Sequence, residues 1–435
     1  MTSAIKKLAL IELNEINFDV VQKYLDQHPS KLNNLRRLVS LKRCTTLAED
    51  EYQLLEPWIQ WVSVHTGKSY NEHKVFRLGD IVNTSETQFF ETIEGKGYKV
   101  GAVSPMNASN QLQKANYFIA DPWTATPPSG KLLIRALQDA VSQAVNDNSE
   151  GTLTLKSTAA LLVGFARFAR FRNLPRYIDL ALTSLGKPWR KALFLDLLLS
   201  DVHSSLFKNS DTNFTTLFLN AGAHIQHHYF FNSKVLPEHK EKNPSWYVDT
   251  KYDPFQEMLE CYDTIIGNCL DMVTNGAELI VATGLSQVPY DSTKYYYRLR
   301  HHADFLTLIG CNYTAIEPRM TRDFLVSFKS SSDAEQALKT LSNVTVNDEA
   351  IFGKIDNRGD SLFVTLNYPH EISPDSEFKV NNVSKGHLLP HVVFVAIKNG
   401  KHQSKGFAYF TQGLKAPTDG KHVKGIYNTV TNFFS

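Results

Sequence analysis

Four short apolar runs, separated by helix-like stretches, constrain this chain most. They are Leu8 to Leu13, Gly97 to Val103, Thr216 to Leu219 and Leu279 to Ala282, each the length of a buried strand and too short for a buried helix. The first stops in the polar cluster Asn14-Glu15-Ile16-Asn17, and the last two also end in small or polar residues. That pattern suits parallel strands whose carboxyl ends open into a site. Helical patterning follows the first run, from Asp19 to Leu38, and precedes the last, from Pro254 to Val273. The alternation predicts an α/β fold, a mostly parallel sheet sandwiched by helices. The core is expected at residues 1–130, 209–321 and 369–435.

Two segments break the rhythm. Residues 131–208 read as a helical insertion, with Arg167, Arg170, Arg172, Arg176, Lys187, Arg190 and Lys191 set among aliphatics. Such a face is either a solvated helix surface or a platform for an anionic substrate or a membrane surface. Residues 322–368 read as strand, helix, strand, a small α+β subdomain.

Composition narrows the classes. Of 435 residues, 42% are hydrophobic, enough for a sizeable core, which excludes general disorder. The 46 basic and 44 acidic side chains leave a net charge of +2, and no nucleic-acid motif appears, so no nucleic-acid partner is expected. Cys44, Cys261, Cys269 and Cys311 form no CxxC pair and read as buried thiols in a reducing compartment. The apolar stretch near the start is cut short by Glu12, so no secretion signal is expected. Ala159 to Phe171, broken by Arg167 and Arg170, falls short of the roughly 20 apolar residues of a membrane span. A cytoplasmic location is expected.

Chemistry-bearing residues gather in three stretches: Leu55 to Gly67, Asn220 to Tyr229 and Lys385 to His391. His224, His227 and His228 stand at i, i+3 and i+4, which puts at least two imidazoles on one helical face or loop edge. Neutral imidazole is the commonest ligand of a transition-metal ion, while a single His is more often structural.

The order of these segments resembles the alkaline phosphatase superfamily, in particular its type I phosphodiesterase and nucleotide pyrophosphatase branch. Leu10 to Asp19 is similar to that family's first strand and metal-binding loop. Trp61-Val62-Ser63-Val64-His65-Thr66-Gly67, with Glu72-His73, resembles its W-T-S-x-x-T-G helix. Ala223-His224-Ile225-Gln226-His227-His228-Tyr229-Phe230 is similar to D-R-I-Q-H-x-F-W, and Tyr262-Asp263-Thr264-Ile265-Ile266-Gly267 to the helix before S-D-H-G. Gly386-His387 looks like the late G-x-H. The resemblance implies an alkaline phosphatase-like fold and ester hydrolysis.

The departures bear on the metal. Relatives of this kind hold two zinc ions with six carboxylate and imidazole ligands around a nucleophile. Here Asn14, Ala223, Thr283 and Gly284 stand where the resemblance implies ligands, and the nucleophile position falls on or beside Pro57. A register aligning Asn220 and His224 with the D-x-x-x-H pair again gives Asn for Asp. Only His227 and His387 keep their places, so a two-zinc centre is not expected and the cofactor is one divalent ion, zinc or manganese, or none.

A remodelled polar pocket is expected at the sheet's carboxyl edge, because buried polar groups without a role are costly. Glu56, His227 and His224 are the expected catalytic groups; Asn14, Glu15, Asn17, Gln60, His65, His228, Thr283 and Arg298 the expected substrate contacts; His227 and His387 the expected metal ligands. Trp58 and Trp61 read as core or as stacking groups, and Gln287, Tyr290 and Tyr295 to Tyr297 as an entrance or a solvated loop. The expected function is an enzyme acting on a phosphate or sulfate ester or a glycoconjugate. Alternatives are a metal-independent transferase in surface-polysaccharide assembly and a non-catalytic binding protein. The substrate is expected to be a small, anionic molecule or glycan.

Overall fold

The computed structural model describes residues 6–146, 154–318 and 322–435. The opening residues 1–5 of the leader reading, residues 147–153 of the helical insertion and residues 319–321 lie outside the described residues. The chain forms two compact units, one comprising Met1–Glu238, Asp249–Pro289 and Gly400–Ser435, the other His239–Val248 and Tyr290–Asn399.

The first unit is built on strands β1 (Leu8–Leu13), β2 (Lys42–Leu47), β3 (Val100–Val103), β4 (Tyr117–Ile119), β5 (Phe214–Leu219) and β6 (Glu278–Ala282). With Lys405–Phe410 and Lys421–His422 they make an eight-stranded sheet, ordered Lys421–His422, β2, Lys405–Phe410, β6, β1, β5, β3, β4. β1 is central and parallel to both neighbours, with Leu8 opposite Phe214 and Glu278. Lys405–Phe410 runs antiparallel between β2 and β6. The architecture is therefore the mostly parallel α/β sandwich that the sequence implies.

Every residue of β1 is buried, as a central strand covered on both faces must be. Leu8 and Leu10 join a core with Trp61, Val64, Phe89, Phe90, Ile426 and Val430, from helices Pro57–Thr66, Phe89–Gly95 and Gly425–Phe433. The helices Trp189–Lys208 and Pro254–Thr274 lie against β5 and β6, contribute nothing to that cluster, and cover the opposite face. The single helix expected from Asp19 to Leu38 is two, Phe18–Gln27 and Asn33–Val39. Pro29 disfavours helical geometry at His28, which sits at φ −125°, and Leu32 then turns left-handed at φ 57°.

Helices occupy Leu132–Asn146, Leu155–Phe168, Leu174–Leu182 and Trp189–Lys208 in the segment read as a helical insertion. The second unit is broader than residues 322–368. Its strands Asp323–Ser327 and Ser361–Thr365 pair antiparallel and alternate buried with half-buried residues. Their inward residues, Phe324, Val326, Leu362 and Val364, share one core with Leu299, Phe305, Phe378 and Val392, which draws the flanking segments into the same body. All four cysteines are buried and free.

Two buried imidazoles give the first unit a distinctive acid response. His203 is fully buried on Trp189–Lys208 with neither ring nitrogen hydrogen-bonded, and burial pushes it down to about 3. His73 is pushed down to about 4, by burial first and then by the charges of His422 and Lys68. Depressed histidines stabilise above their unfolded value of 6.5, and that contribution is lost as the pH falls from 6.5 towards 4. Asp196 and Glu91 oppose this, because burial raises them to about 6 and about 7 and the fold favours their protonated forms. Replacing His203 by Phe isolates one side of the balance. Urea unfolding of His203→Phe is expected to lose about 2 kcal/mol less than the parent between pH 7 and pH 5, and an identical loss in both proteins would refute the assignment.

Candidate functional site

The carboxyl ends of β1, β5 and β6 build the site. Beyond β1, the N–H of Asn14 donates to Leu219 O and that of Glu15 to Thr283 O, extending the ladder on both sides. Glu15 then turns left-handed at φ 62°, unusual for a residue with a side chain. Its carboxylate is 2% exposed. Asn14 Nδ2 donates to Glu15 Oε1 at 3.1 Å and to Asn220 Oδ1 at 2.8 Å, while Trp61 Nε1 donates to Asn14 Oδ1 at 2.8 Å. Gln287, just past β6, donates from Nε2 to Glu15 Oε2 and to Ala223 O.

Helix Ala221–Tyr229 rises from the end of β5, and buried Asp196 accepts the N–H of Ala221 at 2.9 Å at its start. Gln226 on this helix ties the loop after β1, donating to Glu15 O at 2.8 Å and accepting the N–H of Asn17 at 3.0 Å. His227 lies next to it. Its Nδ1 is 3.1 Å from Gly400 O, and since a carbonyl only accepts, Nδ1 carries a proton and Nε2 is the ring atom left to face Glu15.

Nε2 completes a compact triangle. His227 Nε2 lies 3.2 Å from Glu15 Oε2, His402 Nε2 lies 3.0 Å from the same oxygen, and the two Nε2 atoms are 3.2 Å apart. His402 Nδ1 in turn faces Glu56 Oε2 at 3.7 Å. Burial alone would push the Glu15 carboxyl up, but His402 and His227 hold it well below the ordinary carboxylate range through charge and hydrogen bonding. Glu15 is therefore an ionised, almost fully enclosed carboxylate facing two imidazoles.

The donor set fits a divalent cation. Bonds of about 2.0 Å to a tetrahedral ion place ligand atoms about 3.3 Å apart, close to each edge of this triangle. The surroundings fit too, because each ring nitrogen turned away from the triangle meets an oxygen, Gly400 O for His227 and a Glu56 carboxylate for His402. Such outer partners orient metal-bound imidazoles. Three protein ligands leave a fourth position for water or substrate.

No family model and no curated protein matches the chain. Among solved structures, it is similar to phosphonoacetate hydrolase from Sinorhizobium meliloti 1021, at 11% identity and a TM-score of 0.43, over 99% of this chain and 96% of that one. It is similar to murine ectonucleotide pyrophosphatase/phosphodiesterase 5, at 10% identity and a TM-score of 0.42, over 99% and 95%. Alkaline phosphatase from the Antarctic bacterium TAB5 gives 10% identity and a TM-score of 0.41, over 99% of each chain.

The residues singled out in the sequence divide into three groups. Asn14, Glu15, Asn17, Glu56 and His227 come together around the triangle, with Thr283 bound to the backbone of Phe407 and to the Glu15 N–H. Others lie on the same elements. His65 is fully buried with its Nε2 3.1 Å from Glu12 Oε1, Gln60 donates to Leu54 O, and the rings of His224 and His228 lie 4.7 Å apart beside each other. His387 and Arg298 belong to the second unit, where His387 is exposed on Val383–His387 opposite Glu377. His402 stands beside His227. Tyr290, Tyr295 and Tyr296 line a cavity of about 720 Å³ wholly within the second unit, with the Arg322 guanidinium 3.7 Å over the Tyr296 ring.

Proposed function

We propose that the chain hydrolyses a phosphate or sulfate ester, or a glycoconjugate bearing one, at a single divalent cation held by Glu15, His227 and His402. The observation that carries this reading is the triangle itself, three ligand atoms 3.0 to 3.2 Å apart. The ester class is supported by the motif order in the sequence. A bound ion would polarise an ester oxygen and neutralise charge developing on it. Glu15 supplies the anionic ligand, and Asn14 and Gln287 fix its two oxygens so that Oε2 faces the ring nitrogens. His227 is locked in its tautomer by Gly400. Glu56, at the start of Pro57–Thr66 with its side chain 34% exposed, is the carboxylate that water and substrate can reach. It would accept the proton of the attacking water while its other contact orients His402.

The test strips the protein with a chelator, reloads it with zinc or manganese, and offers a panel of phosphomonoesters, phosphodiesters and sulfate esters. Turnover is expected to return with the ion and to fall by about 10²- to 10⁴-fold in Glu56→Gln. A protein that holds the ion yet hydrolyses nothing on the panel would defeat the hydrolase reading and leave only the metal centre.

A further inference from the structure

The described chain exposes fourteen large hydrophobic side chains, and seven of them lie between Leu132 and Leu185. Phe171 is 88% exposed, Leu182 78% and Leu185 96%. A leucine so exposed touches almost nothing of its own protein, so these chains protrude one by one instead of lining a groove. Helix Leu174–Leu182 shows how they are held out. Tyr177 and Leu180 are buried and fasten it to the unit, while Ile178 and Leu182, one turn apart, occupy another face. Phe171 comes just before this helix and Leu185 just after it. Leu162 and Val163 add exposed apolar surface on helix Leu155–Phe168.

Charge says what covers this surface. Residues 154–191 carry eight lysines and arginines against the single acid Asp179. Part of that charge is spent internally, with Arg172 on Asp271 at 2.6 Å and Arg190 on Glu257 at 2.8 Å. Lys156, Arg167 and Lys191 make no ion pair among the described residues. Protruding apolar chains and exposed, uncompensated cations within one stretch of the chain match the two components of a bilayer surface, acyl chains and anionic headgroups. No described helix is long and apolar enough to cross a membrane, so the contact lies in the interface plane.

We propose that helices Leu155–Phe168 and Leu174–Leu182 with their connecting loops dock this protein peripherally on an anionic lipid bilayer. The test is sedimentation of the full chain with phosphatidylcholine vesicles and with vesicles also containing phosphatidylserine. Binding is expected on the anionic vesicles, weaker on the neutral ones, and reduced by salt. Phe171→Ser/Leu182→Ser/Leu185→Ser and Lys156→Glu/Arg167→Glu/Lys191→Glu should each weaken it by about tenfold or more. Because these side chains are exposed, circular dichroism and metal content should stay at parental values in both. No binding to anionic vesicles, or parental binding by both variants, overturns the proposal. So does self-association of the full chain in solution that Phe171→Ser/Leu182→Ser/Leu185→Ser abolishes, since a second copy would then be what covers the face. The outcome is independent of the metal centre.

Discussion

Protein stripped of metal and dialysed against zinc is expected to retain about one ion per chain through a metal-free wash, and Glu15→Gln is expected to lose it. The change keeps the side chain's size and one carbonyl oxygen but removes the negative charge, the only one among three ligand atoms whose mutual distances are 3.0 to 3.2 Å. It also leaves Gln287 Nε2 facing an amide in place of a carboxylate. Loss of a direct ligand should exceed the roughly 10- to 100-fold penalty typical of an outer partner, so affinity should fall by more than about 100-fold. His402→Ala should behave alike and His387→Ala like the parent. Metal analysis by mass spectrometry decides it. Equal zinc in the parent and in Glu15→Gln would dismiss the centre, and with it the proposed chemistry.

Gly400→Ala is expected to damage fold and centre together. A Cβ at position 400 would stand 2.7 Å from the backbone oxygen of Gln226 and would also collide with Gln287 Oε1. The amide can swing, but the backbone of helix Ala221–Tyr229 cannot yield without carrying His227 with it. Overpacking of this kind costs about 1–3 kcal/mol. The zinc loss should exceed what that instability explains, because Gly400 O is the acceptor that orients His227 and Gln287 is a donor to Glu15. Gly95→Ala is the control, since nothing lies within 4 Å of its added methyl. Denaturant titration with zinc analysis reads both effects, and a Gly400→Ala protein with parental stability and zinc content would rule out the crowding argument.

The sheet was legible because its strands are buried on both faces and so read as short, mostly apolar runs, as β1 and β5 do despite Glu12 and the pair Thr215-Thr216. Helix breaks were less so, since the bend at His28 to Leu32 depends on one proline and one left-handed leucine inside an otherwise amphipathic run. Within the site, Glu15, Glu56 and His227 could be read from their places after β1, before Pro57 and in the Ile225-Gln226-His227 motif. His402 was overlooked although the signal existed. Gly400-Lys401-His402 has the spacing of G-x-H and precedes the strand Lys405–Phe410, whereas Gly386-His387 lacks the intervening residue. Burial could not be read at all. His65 looks like a site residue in sequence, and only packing against Phe89 and Phe90 with Glu12 beside it shows that it belongs to the interior.

Glu15 and His402 come from opposite ends of the described chain, and His227 from its middle. During synthesis, the first carboxylate would wait until residues past 400 had been made before its second imidazole arrived. Zinc capture at the proposed centre would thus mark a late stage of folding, since a chain interrupted before Gly400 would lack both His402 and the carbonyl that sets His227. A fluorescent zinc indicator, added to refolding protein, would therefore report late native contacts closing.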